Sequence, residues 1–211
     1  MTKFKLFAFL VASILPATPL IAQDVWITPE LPFIELEIDE DFIVIERNQD
    51  NSAVIAAAFA KTSRPCPPFC VNPMSAGDGV ETVGEVELLT FLEDNVQVGD
   101  GFLVDSRTAN FYRAGTIPGA INLPFNLFTP SADNPFLIPM LTQLGGVLQT
   151  SGEWDFSNAP KLLLFCNGPW CGQSPRAIQN LISLGYPVEK LFYYRGGMQN
   201  WLMLGLTVHV P

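Results

Sequence analysis

Two cysteines, Cys166 and Cys171, lie at the ends of a short loop that follows an apolar run from Leu162 to Phe165. The run is typical of a fully buried strand. Ser174, as the N-cap, and Pro175, in the first helical position, predict a helix whose apolar stripe reaches Gly185. Cys166 is therefore expected at the tip of a buried strand, with its loop in front of a helix N-terminus. Unpaired N–H groups and a partial positive charge at that terminus stabilise a thiolate, the reactive form of cysteine. The pattern favours a reactive cysteine over a buried structural one.

The residues of this loop are the expected substrate-binding residues: Asn167, Gly168, Pro169, Trp170, Gly172, Gln173 and Ser174. Backbone N–H groups of the loop, which Pro169 lacks, are expected to hold the sulfur anion. The loop contains no lysine or arginine, and the first basic residue is Arg176, on the predicted helix. Three roles are open for Cys171. It could resolve a persulfide on Cys166, form a dithiol/disulfide pair with it, or pack the loop.

The other two cysteines, Cys66 and Cys70, lie in a proline-rich segment. They could form a structural disulfide, remain free thiols, or exchange with the active loop. Neither cysteine pair has the two-residue spacing usual in zinc sites, so we expect no metal. The chain has no glycine-rich nucleotide loop, and we expect no cofactor.

The flanking motifs are Phe102-Leu-Val-Asp-Ser-Arg, Gly115-Thr-Ile-Pro-Gly-Ala-Ile-Asn-Leu-Pro and Gly196-Gly-Met-Gln-Asn-Trp. Together with the cysteine loop they resemble the rhodanese-like (sulfurtransferase) family, over about residues 80–211. The resemblance implies an α/β domain with a mainly parallel central sheet flanked by helices. It also implies that active members carry a sulfane sulfur as a persulfide, here on Cys166. The loop is similar to a subgroup with a Cys-x-Gly-Pro-x-Cys pattern.

Several polar residues near these motifs are candidates for supporting roles. Asp105 and Arg107 are expected to brace the sheet and the neighbouring loop rather than touch substrate. Arg113, Arg176 and Arg195 are candidates for electrostatic support of the site. The pair Gly196-Gly197 is expected to let the backbone pass close to the active loop.

We expect a sulfurtransferase that moves a sulfane sulfur through a Cys166 persulfide to a thiol or cyanide acceptor. One alternative is a thiol–disulfide redox protein that uses Cys166 and Cys171. The other is a catalytically silent rhodanese-like binding module. The expected partners are a small sulfur donor and a thiol acceptor, or a periplasmic protein thiol. Because the loop lacks a cation and the net charge is −10, thiosulfate is not expected to be the preferred donor.

The first part of the chain predicts export and a small extension. Lys3 and Lys5 precede a short apolar run, which predicts a cleavable signal peptide over residues 1–22 and a periplasmic protein. Residues 23–79 form the expected N-terminal extension, with strands at Phe33–Ile38 and Phe42–Glu46, and residues 80–211 the rhodanese-like domain. The acidic composition argues against nucleic-acid binding, and stable membrane insertion is not expected.

Overall fold

The computed structural model describes residues 24–38 and 41–211, so the predicted signal peptide lies outside the described residues. The strands are β1 (Phe33–Ile38), β2 (Asp41–Glu46), β3 (Glu81–Val83), β4 (Gly101–Asp105), β5 (Ala120–Asn122), β6 (Val147–Leu148), β7 (Trp154–Asp155), β8 (Lys161–Phe165) and β9 (Leu191–Tyr194). The α-helices are α1 (Ala57–Ala60), α2 (Glu85–Phe91), α3 (Ala109–Arg113), α4 (Leu137–Gln143), α5 (Gln173–Ser183) and α6 (Gly197–Met203). In the described part of the chain, no helix has the length and apolar character needed to cross a membrane.

Five parallel strands form the central sheet in the order β3-β9-β8-β4-β5. The apolar strand β8 occupies the middle position, between β9 and β4. A strand in that position is covered by helices on both faces, which is why its sequence reads as a continuous apolar run rather than an alternating one. The predicted α/β fold with a mainly parallel sheet and flanking helices is confirmed.

The two faces of the sheet carry separate hydrophobic cores, because alternate side chains of β8 point to opposite sides. Leu162 and Leu164 pack in one core with Ile178 and Leu181 of α5. On the opposite face, Leu163 and Phe165 pack in the other core, which also contains Trp201 of α6. The cysteine loop therefore begins at the central strand β8 and ends at helix α5, which packs on one face of the same sheet.

The N-terminal extension is part of this packing. Strands β1 and β2 pair as the predicted antiparallel hairpin, and Ile34, Leu36 and Ile45 belong to the same core as Trp201. The end of the apolar segment from Ala53 to Phe59 lies in the short helix α1. The rest of the extension, from residue 61 to residue 79, has little regular structure and contacts the cysteine loop.

The structure differs from the sequence-based expectations at three places. The sequence did not predict strand β3, which pairs with β9, or strands β6 and β7, which pair with each other in the long proline-rich connection. Strands of two or three residues are too short to show an alternation of apolar and polar residues. Helix α5 begins at Gln173, with Gly172 as its N-cap, so the expected N-cap role of Ser174 is wrong. Pro175 is tolerated deeper in the first turn because the amides of that turn have no acceptor within the helix.

Candidate active site

Cys166 follows the last residue of β8, at the carboxyl end of the central strand. Its side chain is 2% exposed, so the sulfur is almost completely enclosed. The hydroxyl of Ser174, in the first turn of α5, donates a hydrogen bond of 3.2 Å to the Cys166 Sγ. This buried hydroxyl and the free amides of the helix N-terminus provide the environment that stabilises negative charge on sulfur.

Cys166 and Cys171 form a disulfide, with their Cα atoms 6.3 Å apart. That separation lies within the range that a disulfide can bridge. The loop folds back through a hydrogen bond of 2.8 Å from the Cys171 amide to the Gly168 carbonyl. Neither sulfur is a nucleophile in this oxidised state, so attack by Cys166 requires prior reduction.

The carbonyl groups of the loop are held by segments outside it. The amide of Met198 donates to the Cys166 carbonyl at 3.0 Å, and the amide of Gln199 donates to the Asn167 carbonyl at 2.9 Å. The amide of Asn72, in the extension, donates to the Pro169 carbonyl at 2.8 Å. Three loop carbonyls are thus engaged by α6 and by the extension, which hold the loop from outside.

A close backbone approach between α6 and the loop occurs at Gly197. A Cβ at this position would collide with the Cys166 carbonyl oxygen, and it would lie 2.7 Å from the Gly168 nitrogen. The φ angle of Gly197 is +55°, in the left-handed region. Glycine therefore satisfies both the backbone conformation and the lack of space at Gly197, as the sequence predicted. The other glycine of the pair, Gly196, faces the side chains of Tyr194 and Asn200 rather than the loop.

Asp105 and Arg107 form a buried ion pair at the end of β4, with 2.6 Å between Asp105 Oδ2 and Arg107 Nη2. Thr116 donates a further hydrogen bond to Asp105, at 2.8 Å. Arg107 also donates to the Gly115 carbonyl at 2.7 Å and to Asn167 Oδ1 at 3.4 Å. The pair connects the sheet with the residue that follows Cys166, which is a bracing arrangement.

A cavity of about 740 Å³ lies beside the loop. One side is formed by loop residues, among them Asn167, Trp170 and Cys171. The extension also lines the cavity, through Ala56, Ala58, Phe59, Arg64, Pro68 and Phe69. Cys171 lines this cavity, whereas Cys166 does not. The extension is thus a wall of the candidate active site, which the sequence did not reveal.

Trp170 is a second point of contact between the extension and the loop. The guanidinium carbon of Arg64 lies 3.7 Å from the centre of a Trp170 ring, and Phe69 packs edge-on at 5.7 Å. The Trp170 indole N–H donates to Gln199 Oε1 at 2.6 Å, and Gln199 in turn donates to the Phe59 carbonyl at 3.0 Å. One tryptophan therefore joins the extension, the cysteine loop and α6.

The predicted site residues fall into two groups. Those that line the cavity are Asn167, Trp170, Cys171, Gly172, Gln173, Arg107 and Arg176. Those that do not are Cys166, Gly168, Pro169, Ser174, Asp105, Arg113 and Arg195. Arg195 donates to the carbonyls of Asn72 and Pro73 and so holds the extension, and Arg113 is exposed.

Sequence reasoning missed Arg64, Phe59 and Phe69 as cavity residues. About a hundred residues separate them from the loop that they face, and no spacing in the sequence connects the two segments. The nearest signal was the neighbouring pair Cys66 and Cys70, which forms a disulfide with Cα atoms 4.6 Å apart. A disulfide among prolines marks a rigid segment, but it does not reveal the surface against which that segment packs.

A family model described as the rhodanese-like domain matches residues 86–204, which is more than half of the chain. An HTH-type transcriptional regulator of Mycobacterium tuberculosis is 29% identical over 132 residues. That match covers 63% of this chain and 46% of the regulator, so the chain spans less than half the length of the curated relative it matches.

Two solved structures resemble the chain. The human single-domain sulfurtransferase TSTD1 is 28% identical, with a TM-score of 0.39, and the match covers 58% of this chain and 96% of that chain. A protein of unknown function and possible tyrosine phosphatase from Rhodopseudomonas palustris is 18% identical, with a TM-score of 0.44. This second match covers 64% of this chain and 88% of the other.

Proposed function

This chain belongs to the rhodanese-like domain family, and from that premise we propose that it is a sulfurtransferase working through a persulfide on Cys166. The acceptor in this proposal is a thiol or cyanide. Family membership alone does not decide activity, since one fold hosts many functions. The observation that carries the proposal is the position of the Cys166 sulfur, enclosed at the tip of β8 and hydrogen-bonded by the Ser174 hydroxyl.

The first half-reaction loads sulfur on the reduced protein. The Cys166 thiolate attacks the sulfane sulfur of the donor, a sulfur–sulfur bond forms, and the donor's own bond to that sulfur breaks. The donor's remainder leaves with the electron pair, and Cys166 becomes a persulfide anion. The Ser174 hydroxyl and the amides at the start of α5 stabilise the negative charge throughout.

The second half-reaction delivers the sulfur. An acceptor thiolate or cyanide attacks the outer sulfur of the persulfide, and Cys166 leaves as a thiolate. Cys171 offers a competing route: its thiolate attacks the inner sulfur, hydrosulfide leaves, and the Cys166–Cys171 disulfide forms. The Cys166–Cys171 disulfide is the bond that this route would leave, and in this proposal the enzyme is latent until two reducing equivalents reopen it.

The test compares three proteins after reduction: the wild type, Cys166→Ser and Cys171→Ser. Each is incubated anaerobically with thiosulfate or inorganic polysulfide and examined by intact mass. We expect Cys171→Ser to gain one sulfur atom, the wild type to turn over or to lose two hydrogens, and Cys166→Ser to gain no sulfur. A persulfide that forms equally in Cys166→Ser would overturn the assignment of the nucleophile.

The disulfide between Cys166 and Cys171 also favours a second candidate function, thiol–disulfide exchange. Cys171 lines the cavity and Cys166 does not, so a substrate thiol reaches the Cys171 sulfur first. Attack there would form a mixed disulfide and release Cys166 as the thiolate. In a mass experiment that starts from the oxidised protein, this function predicts that the cysteine pair gains two hydrogens while a dithiol substrate is oxidised in equal amount, and that the reduced protein gains no sulfur from any donor.

We further propose that the protein is exported and matures near Gln23. Support comes from the charged and apolar pattern of residues 1–22 and from two joined cysteine pairs, which persist in oxidising compartments. Expression of the full chain followed by N-terminal sequencing of the periplasmic fraction tests this. Recovery of intact Met1 in the membrane fraction would contradict it.

A further inference from the structure

The cysteine loop is held at three of its carbonyl groups, and one of the three is held by the N-terminal extension. The carbonyls of Cys166 and Asn167 accept hydrogen bonds from amides of α6, whereas the Pro169 carbonyl accepts from Asn72. Asn72 lies outside residues 86–204, the part of the chain that the rhodanese-like family model matches. The contact on Pro169 is therefore supplied by a segment that does not belong to the matched domain.

Asn72 binds the Pro169 carbonyl with two donors. Its backbone amide donates at 2.8 Å, and its side-chain Nδ2 donates at 3.2 Å. A carbonyl oxygen has two lone pairs, so it can accept both bonds at once. The Oδ1 atom of the same side chain lies beside the loop, 3.9 Å from the position that a Cβ on Gly172 would take. These contacts fix the orientation of the peptide group that joins Pro169 to Trp170.

Arg195 in turn holds Asn72. Its Nη2 donates to the Asn72 carbonyl at 2.8 Å, and its Nε donates to the Pro73 carbonyl at 3.1 Å. Two bonds from one planar guanidinium to consecutive carbonyls fix the direction of the backbone that they hold. Arg195 and Cys166 directly follow the last residues of β9 and β8, which pair with each other in the central sheet. The sheet therefore anchors Asn72 at the same edge at which it anchors the loop.

The direction of each held carbonyl determines where the next amide points. The peptide group between Pro169 and Trp170 is planar and trans, so the Trp170 N–H points opposite to the carbonyl and therefore away from Asn72. This N–H has no acceptor in the described part of the chain. The amides of Asn167 and Gly168 also lack an acceptor there, and they follow the two carbonyls that α6 holds. Each held carbonyl is thus followed by an amide that is available to an anion.

Resting on the proposed chemistry of Cys166, we propose that Asn72 is a positioning residue that turns the Trp170 amide toward the Cys166 sulfur. An N–H group bonds an anionic sulfur more strongly than a neutral one, so this amide stabilises the thiolate and the persulfide. In the disulfide the sulfur carries no charge, which agrees with amides that have no acceptor. Without the bonds from Asn72, the peptide group is free to rotate and the sulfur loses this donor.

The pKa of the Cys166 thiol measures the contribution of this amide, and Cys171→Ser is the parent in which it can be measured. The chain contains four cysteines, so with Cys66 and Cys70 joined, Cys166 is the free thiol of this parent. Its alkylation by iodoacetamide is followed from about pH 4 to about pH 10, because the thiolate is the form that reacts. Asn72→Ala removes the side-chain donor. Asn51→Ala is the matched control, an exposed asparagine of the same extension.

We expect Asn72→Ala to raise the pKa of Cys166 by about 0.5–1 unit. A hydrogen bond to a charged group shifts a pKa by about one unit or more, and the backbone amide of Asn72 retains part of the geometry. Below that pKa, alkylation and persulfide formation should slow by about 3- to 10-fold, and above it the rates should meet those of the parent. Asn51→Ala should leave the pKa within about 0.2 unit, because it does not remove a donor to the loop.

A merely structural role for Asn72 would lower the free energy of unfolding and leave the pKa unchanged, so the pH profile separates the two roles. The substitution also changes no charge. The charged side chains that contact the loop or its anchors, or lie in the first turn of α5, all remain in place: Arg64, Asp105, Arg107, Arg176 and Arg195.

Arg195→Lys is the second variant, and it decides the test if Asn72→Ala does not fold. Lysine keeps the charge but loses the paired bonds to the Asn72 and Pro73 carbonyls, so a raised pKa in this variant supports positioning rather than a charge effect. An unchanged pKa of Cys166 in the folded variant, or an equal rise in Asn51→Ala, overturns the proposal.

The two proposals fail in different ways. If neither thiosulfate nor polysulfide places a sulfur on Cys166, sulfur transfer is wrong, and a raised pKa in Asn72→Ala would still assign Asn72 to the thiolate. If polysulfide loads Cys166 but the alkylation profile of Asn72→Ala equals that of its parent, sulfur transfer stands and the positioning role of Asn72 is rejected.

Discussion

Replacing Gly197 with alanine tests how the active loop is positioned. The new Cβ would meet the Cys166 carbonyl oxygen and would lie 2.9 Å from the Asn167 carbonyl carbon. These contacts are to backbone atoms, which cannot rotate away as a flexible side chain can. The substitution must therefore displace either the start of α6 or the loop that carries Cys166.

The expected loss in the free energy of unfolding of Gly197→Ala has two parts. A residue with a Cβ at φ +55° costs about 1–2 kcal/mol in the left-handed region. Overpacking a buried contact adds about 1–3 kcal/mol. Gly99 supplies a matched control, because its φ is +82° and a Cβ there would have nothing within 4 Å. Gly99→Ala should show the first cost alone, so the two variants should differ by about 1–3 kcal/mol.

Urea unfolding followed by circular dichroism measures both free energies of unfolding. Sulfur transfer by the reduced, folded proteins measures the positioning effect, and we expect Gly197→Ala to lose roughly 10- to 100-fold in rate, since displacements of about 1 Å at a reacting group have such effects. Gly99→Ala should keep the wild-type rate. Equal stabilities of the two variants, together with full activity of Gly197→Ala, would refute the close approach as a determinant of the site.

Three further predictions concern other groups. Cys171→Ser should transfer sulfur without pretreatment by reductant, whereas the wild type should require it; identical responses would assign Cys171 to packing. Replacing both Cys66 and Cys70 by serine should lower the free energy of unfolding by about 2 kcal/mol, through the lost loop constraint, and an unchanged urea midpoint would contradict this. Burial raises the pKa of Tyr193 to about 12 from 10.0, and its hydroxyl has no partner in the described part of the chain. Because burial disfavours the ionised form, the free energy of unfolding should fall as the pH rises from about 10 toward 12. The buried hydroxyl without a partner is costly at any pH, so Tyr193→Phe should raise the free energy of unfolding by about 1 kcal/mol at pH 7 and reduce the alkaline loss, in urea titrations at pH 7 and near pH 12.

Much of the fold could be predicted because the informative residues are close together in the sequence. The apolar run of β8, the helical stripe of α5 and the turn at Gly185 are local patterns, and each reflects a local preference for backbone conformation or burial. The position of Cys166 followed from the order strand, loop, helix. The short strands β3, β6 and β7 could not be predicted, because their pairing with β9 or with each other determines them.

The sequence by itself determined the chemical group, a cysteine at the end of a buried strand and before a helix, because that arrangement depends on consecutive residues. Only the tertiary structure decided what surrounds it. Arg64 and Phe69 reach the loop because the extension packs against Trp170, and Ser174 turns its hydroxyl toward Cys166 instead of capping α5. Contacts between distant segments arise from the packing of whole surfaces, and the spacing of residues within one segment does not predict them.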